Sequence, residues 1–217
     1  MIFANRFDAG KVLGQRLAGH VHHPVVLGLV RGGVPVAYEV AKATGGVLDA
    51  FVATKVGLPR QRELGIGAVA EGRVEPVVSP VVASFGVSEE QMQALVEQAR
   101  AETQRRASLY RAGRPLPKLA GREVVLVDDG MATGVTAEAA LRSLRTLAPA
   151  RLILAVPVCP SETVRRIATL VDEVVCVQLP RDLSSVGSWY EDFSATSDEE
   201  VLRLLADAHR RSLAQAS

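Results

Sequence analysis

Residues 123–136 read Glu-Val-Val-Leu-Val-Asp-Asp-Gly-Met-Ala-Thr-Gly-Val-Thr, and this stretch predicts the architecture of the whole chain. Val124 to Val127 is a continuous apolar run, which is typical of a parallel strand buried on both faces. The run ends at two carboxylates, Asp128 and Asp129, and from about Val135 the apolar spacing becomes helical. We therefore expect the acid pair at the carboxyl end of a central strand, where open α/β sheets bind their ligands.

The loop that follows the acid pair has the composition of a phosphate site. Backbone N–H groups at a helix start have no intrahelical partner, and Gly134 lets a ligand approach them closely. Thr133 and Thr136 add hydroxyl groups. The two carboxylates cannot bind the same phosphate, because like charges repel, but they can accept hydrogen bonds from a diol. We interpret the stretch as a clamp for a ribose 5-phosphate, with the 2′ and 3′ hydroxyls on the acid pair.

Other strand–loop–helix motifs fit this stretch less well. A P-loop requires Gly-x-x-x-x-Gly-Lys-Ser/Thr, and residues 130–136 contain no lysine. The dinucleotide fingerprint Gly-x-Gly-x-x-Gly is absent from the same residues. A phospho-acceptor aspartate would leave the Gly-Met-Ala-Thr-Gly-Val-Thr tail without a purpose. A plain strand–turn–helix with a solvated acid pair is the alternative that carries no function.

Residues 125–136, Val-Leu-Val-Asp-Asp-Gly-Met-Ala-Thr-Gly-Val-Thr, resemble the phosphoribosyl pyrophosphate (PRPP) binding motif of the type I phosphoribosyltransferases. The resemblance covers the family's core, about residues 25–178. It implies that Asp128 and Asp129 hold the ribose hydroxyls. It also implies that the 5′-phosphate is wrapped by Ala132, Thr133, Gly134, Val135 and Thr136. The motif specifies the donor substrate and not the acceptor.

A second strand–glycine–helix junction follows an apolar strand predicted at Val25 to Val30. Arg31, Gly32 and Gly33 combine one cation with two bare backbone amides, which suits an anion, although paired glycines are also common in turns. Leu-Val-Arg-Gly-Gly resembles the pyrophosphate loop of the same family. The resemblance implies that Arg31 to Gly33 hold the leaving diphosphate and that the Val30–Arg31 peptide bond is cis.

A third strand is predicted at Leu48 to Thr54, and it leads into a segment rich in glycine, proline and charge. We expect residues 56–72 to form a mobile loop that closes over the phosphates. Lys55 directly follows the strand and is the first candidate catalytic residue. Glu63 is a candidate general base or metal contact, with a solvated loop glutamate as the alternative. Two further loop cations are candidates to contact the diphosphate: Arg60 and Arg62.

Ile66 to Ala70 and Val74 to Val78 predict a hairpin or paired short strands. The capping box Ser88-Glu-Glu-Gln91 predicts the start of the longest helix, which continues to about Tyr110. One face of this helix carries an apolar stripe, and the other is dense in Glu, Gln and Arg. A polar face of this kind is typical of a solvated helix and is also compatible with a homodimer contact.

The C-terminal flank, about residues 179–217, predicts a small hood or tail. Trp189 and Tyr190 are candidates to stack on a planar acceptor, while Glu191 or Asp192 bind its edge. The alternative is that these aromatic side chains anchor the tail to the core. Sequence alone does not distinguish the two roles.

Length and composition predict one α/β domain. The 217 residues are 48% hydrophobic and only 4% aromatic, which suits an aliphatic core. We expect a parallel sheet of about five strands with helices on both faces, plus a small hood from the flanking segments. With 25 basic and 24 acidic residues the net charge is +1, so neither nucleic acid nor a membrane is expected as a partner.

No basic segment followed by an apolar signal core opens the chain, and no run of eighteen apolar residues occurs in it, so we expect a cytoplasmic protein. Cys159 and Cys176 fit neither a metal cluster nor a disulfide framework. We expect both to be small buried hydrophobic residues.

The resemblance predicts an Mg²⁺-dependent phosphoribosyltransferase that transfers the 5-phosphoribosyl group of PRPP to a nitrogen acceptor, a nucleobase or a similar small molecule, with release of diphosphate. The alternative is a regulatory protein that binds PRPP or a nucleotide without turnover. A PRPP-forming diphosphokinase would need an ATP site, and the sequence has no P-loop. The acceptor, the metal ligands and the oligomeric state are not specified by the sequence.

Overall fold

A computed structural model describes residues 1–58, 61–72, 76–78 and 85–216, and the side chains of residues 61–65 and 215–216 lie outside this description. The strands are β1 Val25–Leu29, β2 Val47–Phe51, β3 Ala53–Leu58, β4 Gln61–Ala70, β5 Val77–Val78, β6 Glu123–Val127, β7 Arg151–Val158 and β8 Glu173–Gln178. The helices are α1 Arg6–Leu17, α2 Gly33–Thr44, α3 Glu89–Arg111, α4 Val135–Arg145, α5 Ser161–Ile167 and α6 Asp198–Ala216.

The main sheet has five parallel strands in the order β2-β1-β6-β7-β8, which confirms the predicted α/β architecture. The central strand β6 is fully buried from Val124 to Val127, as expected for a strand covered on both faces. Its neighbour β1 is in register with it, so that Gly28 pairs with Val127. Because both strands end at the same edge, the segments that follow them lie side by side.

Helices cover both faces of the main sheet. Helices α1 and α2 pack on one face through Leu13, Leu17, Val36 and Val40. Helix α4 covers the other face through Ala137, Leu141 and Leu144. Helices α3 and α6 complete the core beside β2, where a third cluster contains Ala50, Tyr110, Val201 and Leu204. In the part of the chain described, no helix is long and apolar enough to cross a lipid bilayer.

Side-chain caps define the starts of three helices. In α3 the predicted capping box forms, because Gln91 N donates to Ser88 Oγ at 3.1 Å and Ser88 N donates to Gln91 Oε1 at 3.0 Å. Ser197 caps α6 by accepting from Glu200 N at 3.1 Å. Asn5 caps α1 by accepting from Asp8 N at 3.0 Å.

The segment predicted as a loop at residues 56–72 is largely extended. Strands β3 and β4 form an antiparallel hairpin from Ala53↔Ala70 to Leu58↔Gln61, with irregular register around Gly57. The single strand predicted at Leu48 to Thr54 is divided at Val52, because the chain leaves the parallel sheet there and enters the antiparallel one. Closure of the hairpin over a ligand stays a prediction.

Strand β5 pairs with β4, so the predicted pairing of Ile66 to Ala70 with Val74 to Val78 is confirmed in its described part: Gly67 pairs with Val78 and Ala68 with Val77. The predicted residues of that hairpin between 73 and 75 lie outside the description. The three strands β3-β4-β5 form a separate antiparallel sheet.

The two flanks of the chain pack against each other beside the main sheet. Phe3 forms a parallel bridge with Tyr190, and its N–H donates to the carbonyl of Trp189 at 2.9 Å. The N–H groups of Glu191 and Asp192 donate to the carbonyls of Phe3 and Ala4 at 2.8 and 3.0 Å. These backbone bonds join the start of the chain to the segment that precedes α6.

A buried ion pair ties the two sheets together. Arg111, at the end of α3, forms a salt bridge with Glu71, and their side chains are 7% and 12% exposed. Arg111 also donates to the carbonyl of Ala50 at 2.9 Å, and Glu71 accepts the N–H of Val52 at 2.8 Å. The pair thus satisfies backbone groups at the point where the chain passes from β2 to β3.

We expect Glu71→Ala to lower the free energy of unfolding by about 3–5 kcal/mol, because it leaves the buried Arg111 guanidinium without a counter-charge. Urea unfolding measures the change. The matched control is Glu97→Ala, since Glu97 pairs with Arg100 on α3 and is 75% exposed. That substitution should cost less than about 1 kcal/mol. Equal effects of the two substitutions would contradict a special role for the buried pair.

Candidate functional site

The acid pair lies at the carboxyl end of β6, as the apolar pattern predicts. Asp129 N donates to Asp128 Oδ1 at 2.9 Å, so the two residues are also joined through the main chain of the second. Burial, reinforced by the charge of Asp129, raises the pKa of Asp128 well above its ordinary value. Burial also raises the pKa of Asp129, although the neighbouring Arg6 opposes the rise. The ligand-free pair therefore holds a proton more readily than two solvated carboxylates do.

The loop after the acid pair leads to a helix start without a side-chain cap. Gly134 is the N-cap residue of α4 in a left-handed conformation with φ of 68°. The exposed Ala132 and Thr133 precede it. The N–H groups of the first turn of α4 are thus free of a side-chain cap and carry the positive end of the helix dipole.

Helix α5 supports the same loop from behind. Thr163 Oγ1 donates to the carbonyl of Ala132 at 2.8 Å, and the Arg166 guanidinium donates to the carbonyl of Thr133. A Cβ atom at Gly134 would lie only 2.7 Å from Ile167 Cδ1. These contacts fix the loop so that its carbonyls face α5.

The second glycine junction lies next to the acid pair. The Val30–Arg31 peptide bond is cis, as the resemblance implies. Gly32 is the N-cap residue of α2, again without a side-chain cap. A Cβ atom at Gly32 would overlap Asp129 Oδ2, and one at Gly33 would lie 2.5 Å from the carbonyl oxygen of Val127. Only glycine allows this close approach of the two loops.

Arg31 points toward α6 rather than toward the acid pair. Its Nη1 lies 3.6 Å from Asp198 Oδ1, and the hydroxyl of Tyr110 donates to the same oxygen at 2.7 Å. The Arg31 side chain remains 44% exposed, so solvent reaches it.

Lys55 lies inside β3. The sequence pattern predicts it directly after a strand that ends at Thr54. Its side chain is exposed. Because successive side chains alternate along a strand, it lies on the face opposite to Thr54 and Val56, which pack on α3. The other candidate site residues of this segment lie outside the described part of the chain: Arg60 and the side chains of Arg62 and Glu63.

Tyr190 anchors the C-terminal flank to the core. Of the two roles considered for it from the sequence, this is the alternative to stacking on an acceptor. Its side chain is only 6% exposed, and its hydroxyl donates to the carbonyl of Asp129 at 2.5 Å. The ring centroid lies 5.5 Å from that of Phe3 and 4.9 Å from that of Phe193. Little ring surface remains for a ligand. Trp189 is half-buried in the same cluster, while Glu191 and Asp192 are exposed.

Arg6 is a site residue that sequence reasoning missed. Its Nε donates to Asp129 Oδ2 at 2.7 Å, and its Nη1 donates to the carbonyl of Ser194 at 2.7 Å. The guanidinium lies 3.8 Å from the centre of the Phe193 ring. Arg6 and Asp129 are 123 positions apart, so no local pattern could have paired them.

The chain matches a known sequence family, curated proteins and solved structures over nearly its whole length. The family model for the phosphoribosyl transferase domain matches residues 6–192. Two Mycobacterium tuberculosis proteins, from strains CDC 1551 and H37Rv, carry provisional phosphoribosyl transferase names. Each is 45% identical over 96% of this chain but only 47% of its own length. The chain thus spans about half the length of these curated relatives. The crystal structure of TT1426 from Thermus thermophilus is 41% identical, with a TM-score of 0.78, and the match covers 95% of this chain and 99% of that one.

We expect Gly32→Ala to destabilise the protein by about 1–3 kcal/mol, because the new methyl group overlaps the Asp129 carboxylate. Backbone strain would not contribute to this loss, since φ of −62° and ψ of −31° at Gly32 suit alanine. Thermal unfolding measures the loss. In an Asp129→Ala background the carboxylate is gone, and the same change at Gly32 should cost little. Additive losses in the double variant would argue against the contact.

Asp128→Asn should stabilise the ligand-free protein at neutral pH, with a rise in Tm of about 2–4 °C for each 1 kcal/mol gained. A carboxyl whose pKa is raised by folding stabilises the fold only when protonated, and this stability is lost as the pH rises through the raised pKa. The gain in Tm from Asp128→Asn should therefore shrink as the pH falls toward the ordinary pKa of an aspartate.

Thermal unfolding between acidic and neutral pH tests this dependence. The exposed Asp182 provides the control, since Asp182→Asn should leave Tm nearly unchanged at every pH. A Tm for Asp128→Asn that is lower than the wild-type value at neutral pH would show that burial of the pair costs no stability.

Proposed function

This chain belongs to the phosphoribosyl transferase domain family, and we propose that it transfers the 5-phosphoribosyl group of PRPP to a nitrogen nucleophile with release of diphosphate. The observation that carries the proposal is the contact of the acid pair with the Arg31–Gly33 junction beside the uncapped start of α4. PRPP has a 5′-phosphate, a diol and a diphosphate, and this edge offers a complementary group for each.

The two anionic ends of PRPP match two helix starts. Helices α2 and α4 follow the adjacent strands β1 and β6, and both begin at glycine N-caps without a side-chain cap. The first turn of α4 has no side-chain cap on its N–H groups. At α2, Val34 N donates to the carbonyl of Arg31 at 3.1 Å and Pro35 has no N–H, so the amides of Gly32 and Gly33 are the ones left for an anion. Both starts carry a positive dipole end, which attracts phosphate groups. We assign the 5′-phosphate to residues 132–136 and the diphosphate to Arg31, Gly32 and Gly33.

The ribose would bridge these two anion sites across the acid pair. Asp128 and Asp129 lie between the loops, and carboxylates accept hydrogen bonds from hydroxyl groups. Charge-assisted hydrogen bonds of this kind are about twice as strong as neutral ones. Binding of the diol therefore favours the ionised pair, and its affinity should fall as the pH is lowered through the raised pKa values.

Mg²⁺ is part of the proposal, and the residues present fit this ion. Mg²⁺ prefers oxygen ligands and is commonly held by one or two carboxylates together with substrate phosphates. The acid pair supplies carboxylates beside the junction assigned to diphosphate, whereas no group of three or more metal-binding side chains occurs among the described residues. When bound, the ion would neutralise charge on the diphosphate.

The reaction requires mainly positioning and charge stabilisation from the protein. A nitrogen lone pair attacks C1 of the ribose as the C1–O bond to diphosphate breaks, with inversion at C1 and loss of a proton from the acceptor. Positive charge develops on the sugar, and the nearby carboxylates stabilise it. Amides of the Arg31–Gly33 junction stabilise the leaving diphosphate. Lys55 and Glu63 remain candidates for contacts with the leaving group and the acceptor proton.

The acceptor is proposed only as a class, a nucleobase or similar planar nitrogen compound. Trp189 is half-buried next to Tyr190, whose hydroxyl contacts the acid-pair backbone. Trp189 is partly exposed, and an indole face suits stacking on a planar ring. Because Tyr190 itself is buried, Trp189 alone is the aromatic residue of this pair that we assign to the acceptor.

Calorimetric titration of the purified protein with PRPP, with and without Mg²⁺, tests the proposal. We expect micromolar binding, about −8 kcal/mol, that depends on the metal. Asp129→Asn should weaken this binding, while the exposed control Asp182→Asn should not. Release of diphosphate is then assayed with a panel of purines and pyrimidines. PRPP binding without turnover on any acceptor would favour a regulatory protein, and absence of PRPP binding would reject the donor site.

A further inference from the structure

Arg6 contacts the acid pair, although it is the first residue of α1 and lies outside both glycine loops. Its side chain is 11% exposed. The Asp129 carboxylate, the carbonyl of Ser194 and the ring of Phe193 surround the guanidinium. A Cβ atom at Gly32 would lie 3.2 Å from Arg6 Nε. Arg6 thus lies where the acid pair meets the Arg31–Gly33 junction.

The contacts of the acid pair divide its four oxygens into two sets. Asp129 Oδ2 accepts from Arg6 Nε at 2.7 Å, and Asp128 Oδ1 accepts from Asp129 N at 2.9 Å. Among the described residues, no hydrogen bond to Asp128 Oδ2 or to Asp129 Oδ1 is observed. One oxygen from each residue is therefore available, which matches the number of hydroxyls in a ribose diol.

We propose that Arg6 is a positioning residue of the donor site, which fixes the Asp129 carboxylate so that the acid pair presents one oxygen of each residue to the ribose diol. This inference rests on the proposed function. It adds a residue from the N-terminal flank to a site otherwise built from the two loops.

The immobility of the Arg6 guanidinium supports this role. Arginine is planar and donates in fixed directions, so two hydrogen bonds to Asp129 and Ser194 determine its orientation. The Phe193 ring closes one face of that plane. A carboxylate bound to such a group cannot rotate freely, and the position of its second oxygen is set before a ligand arrives.

Stability alone is a weak reason for this arrangement. Removing two charges from water costs about as much as a buried ion pair returns, so such pairs are often replaceable by apolar residues. Here Arg6 also holds one of two adjacent carboxylates in a single orientation beside the other, which a ligand with two hydroxyl groups requires. The pair is therefore explained better by ligand binding than by folding.

Calorimetry with three probes separates the roles that Arg6 could have. PRPP and ribose 5-phosphate both contain the diol, whereas inorganic diphosphate lacks it and, titrated without Mg²⁺, reports on the Arg31–Gly33 junction. We expect Arg6→Gln to weaken PRPP and ribose 5-phosphate by about tenfold or more, the loss typical of a charged hydrogen bond. Affinity for diphosphate should change less than about twofold, and Arg6→Lys should recover part of the lost affinity for PRPP.

Two further variants keep the test independent of folding defects. Phe193→Leu removes the ring beneath Arg6 without touching the acid pair, and we expect the same pattern with a smaller loss. Arg16→Gln is the matched control on α1, since Arg16 donates to the carbonyl of Cys176 and does not contact the acid pair. It should bind all three probes as the wild type does. Thermal unfolding of every variant accompanies the titrations.

The double variant of Arg6 and Asp129 gives the clearest test of the proposal. If Arg6 acts through Asp129, Arg6→Gln should add less than about twofold to the loss caused by Asp129→Asn. Additive losses would overturn the proposal, as would a lowered Tm with unchanged affinity for the diol-containing probes. Tighter PRPP binding by Arg6→Gln would also overturn the proposal, because it would show that Arg6 blocks the site. Loss of affinity for diphosphate would overturn it as well, because it would show that Arg6 contacts diphosphate directly. Failure of the proposed function differs from all of these, because the wild type itself would not bind PRPP.

Discussion

Two adjacent carboxylates at the end of a buried strand are the constraint around which this structure is arranged. Asp128 and Asp129 are both buried, and burial raises the pKa of each; at Asp128 the charge of Asp129 adds to the rise. Such a pair costs free energy that a stable fold could avoid. Its surroundings limit the cost: Arg6 contributes a positive charge, and Gly32 allows the Asp129 carboxylate to approach the neighbouring loop.

The parallel order of the main sheet determines what lies around this pair. Because β1 and β6 are neighbours in register, the segments after them meet at one edge, and both α2 and α4 begin there. Two uncapped helix starts at the same edge produce a region that attracts anions from both sides of the carboxylates. An anion–diol–anion ligand is the class of molecule that complements this alternation of charge.

The flanks of the chain complete the site from outside the parallel sheet. Phe3 and Tyr190 join the two flanks through backbone bonds, and the Tyr190 hydroxyl donates to the carbonyl of Asp129. Arg6 reaches the carboxylate of the same residue. Hence Asp129 is held on its main chain by the C-terminal flank and on its side chain by the N-terminal helix. This dependence links the orientation of the proposed ribose ligand to packing between chain segments that are remote in sequence.

The sequence by itself determined the parallel α/β class, the strand that ends at the acid pair, the two glycine junctions and the capping box of α3. These features are local, since apolar periodicity, glycine and capping residues act within a few positions of the chain. Tertiary structure decided the division of the third predicted strand at Val52, the anchoring role of Tyr190 and the contact of Arg6 with Asp129. Each of these depends on which segments meet across the fold. A partner 61 or 123 positions away leaves no periodic signal, because only packing of the whole chain brings the two residues together.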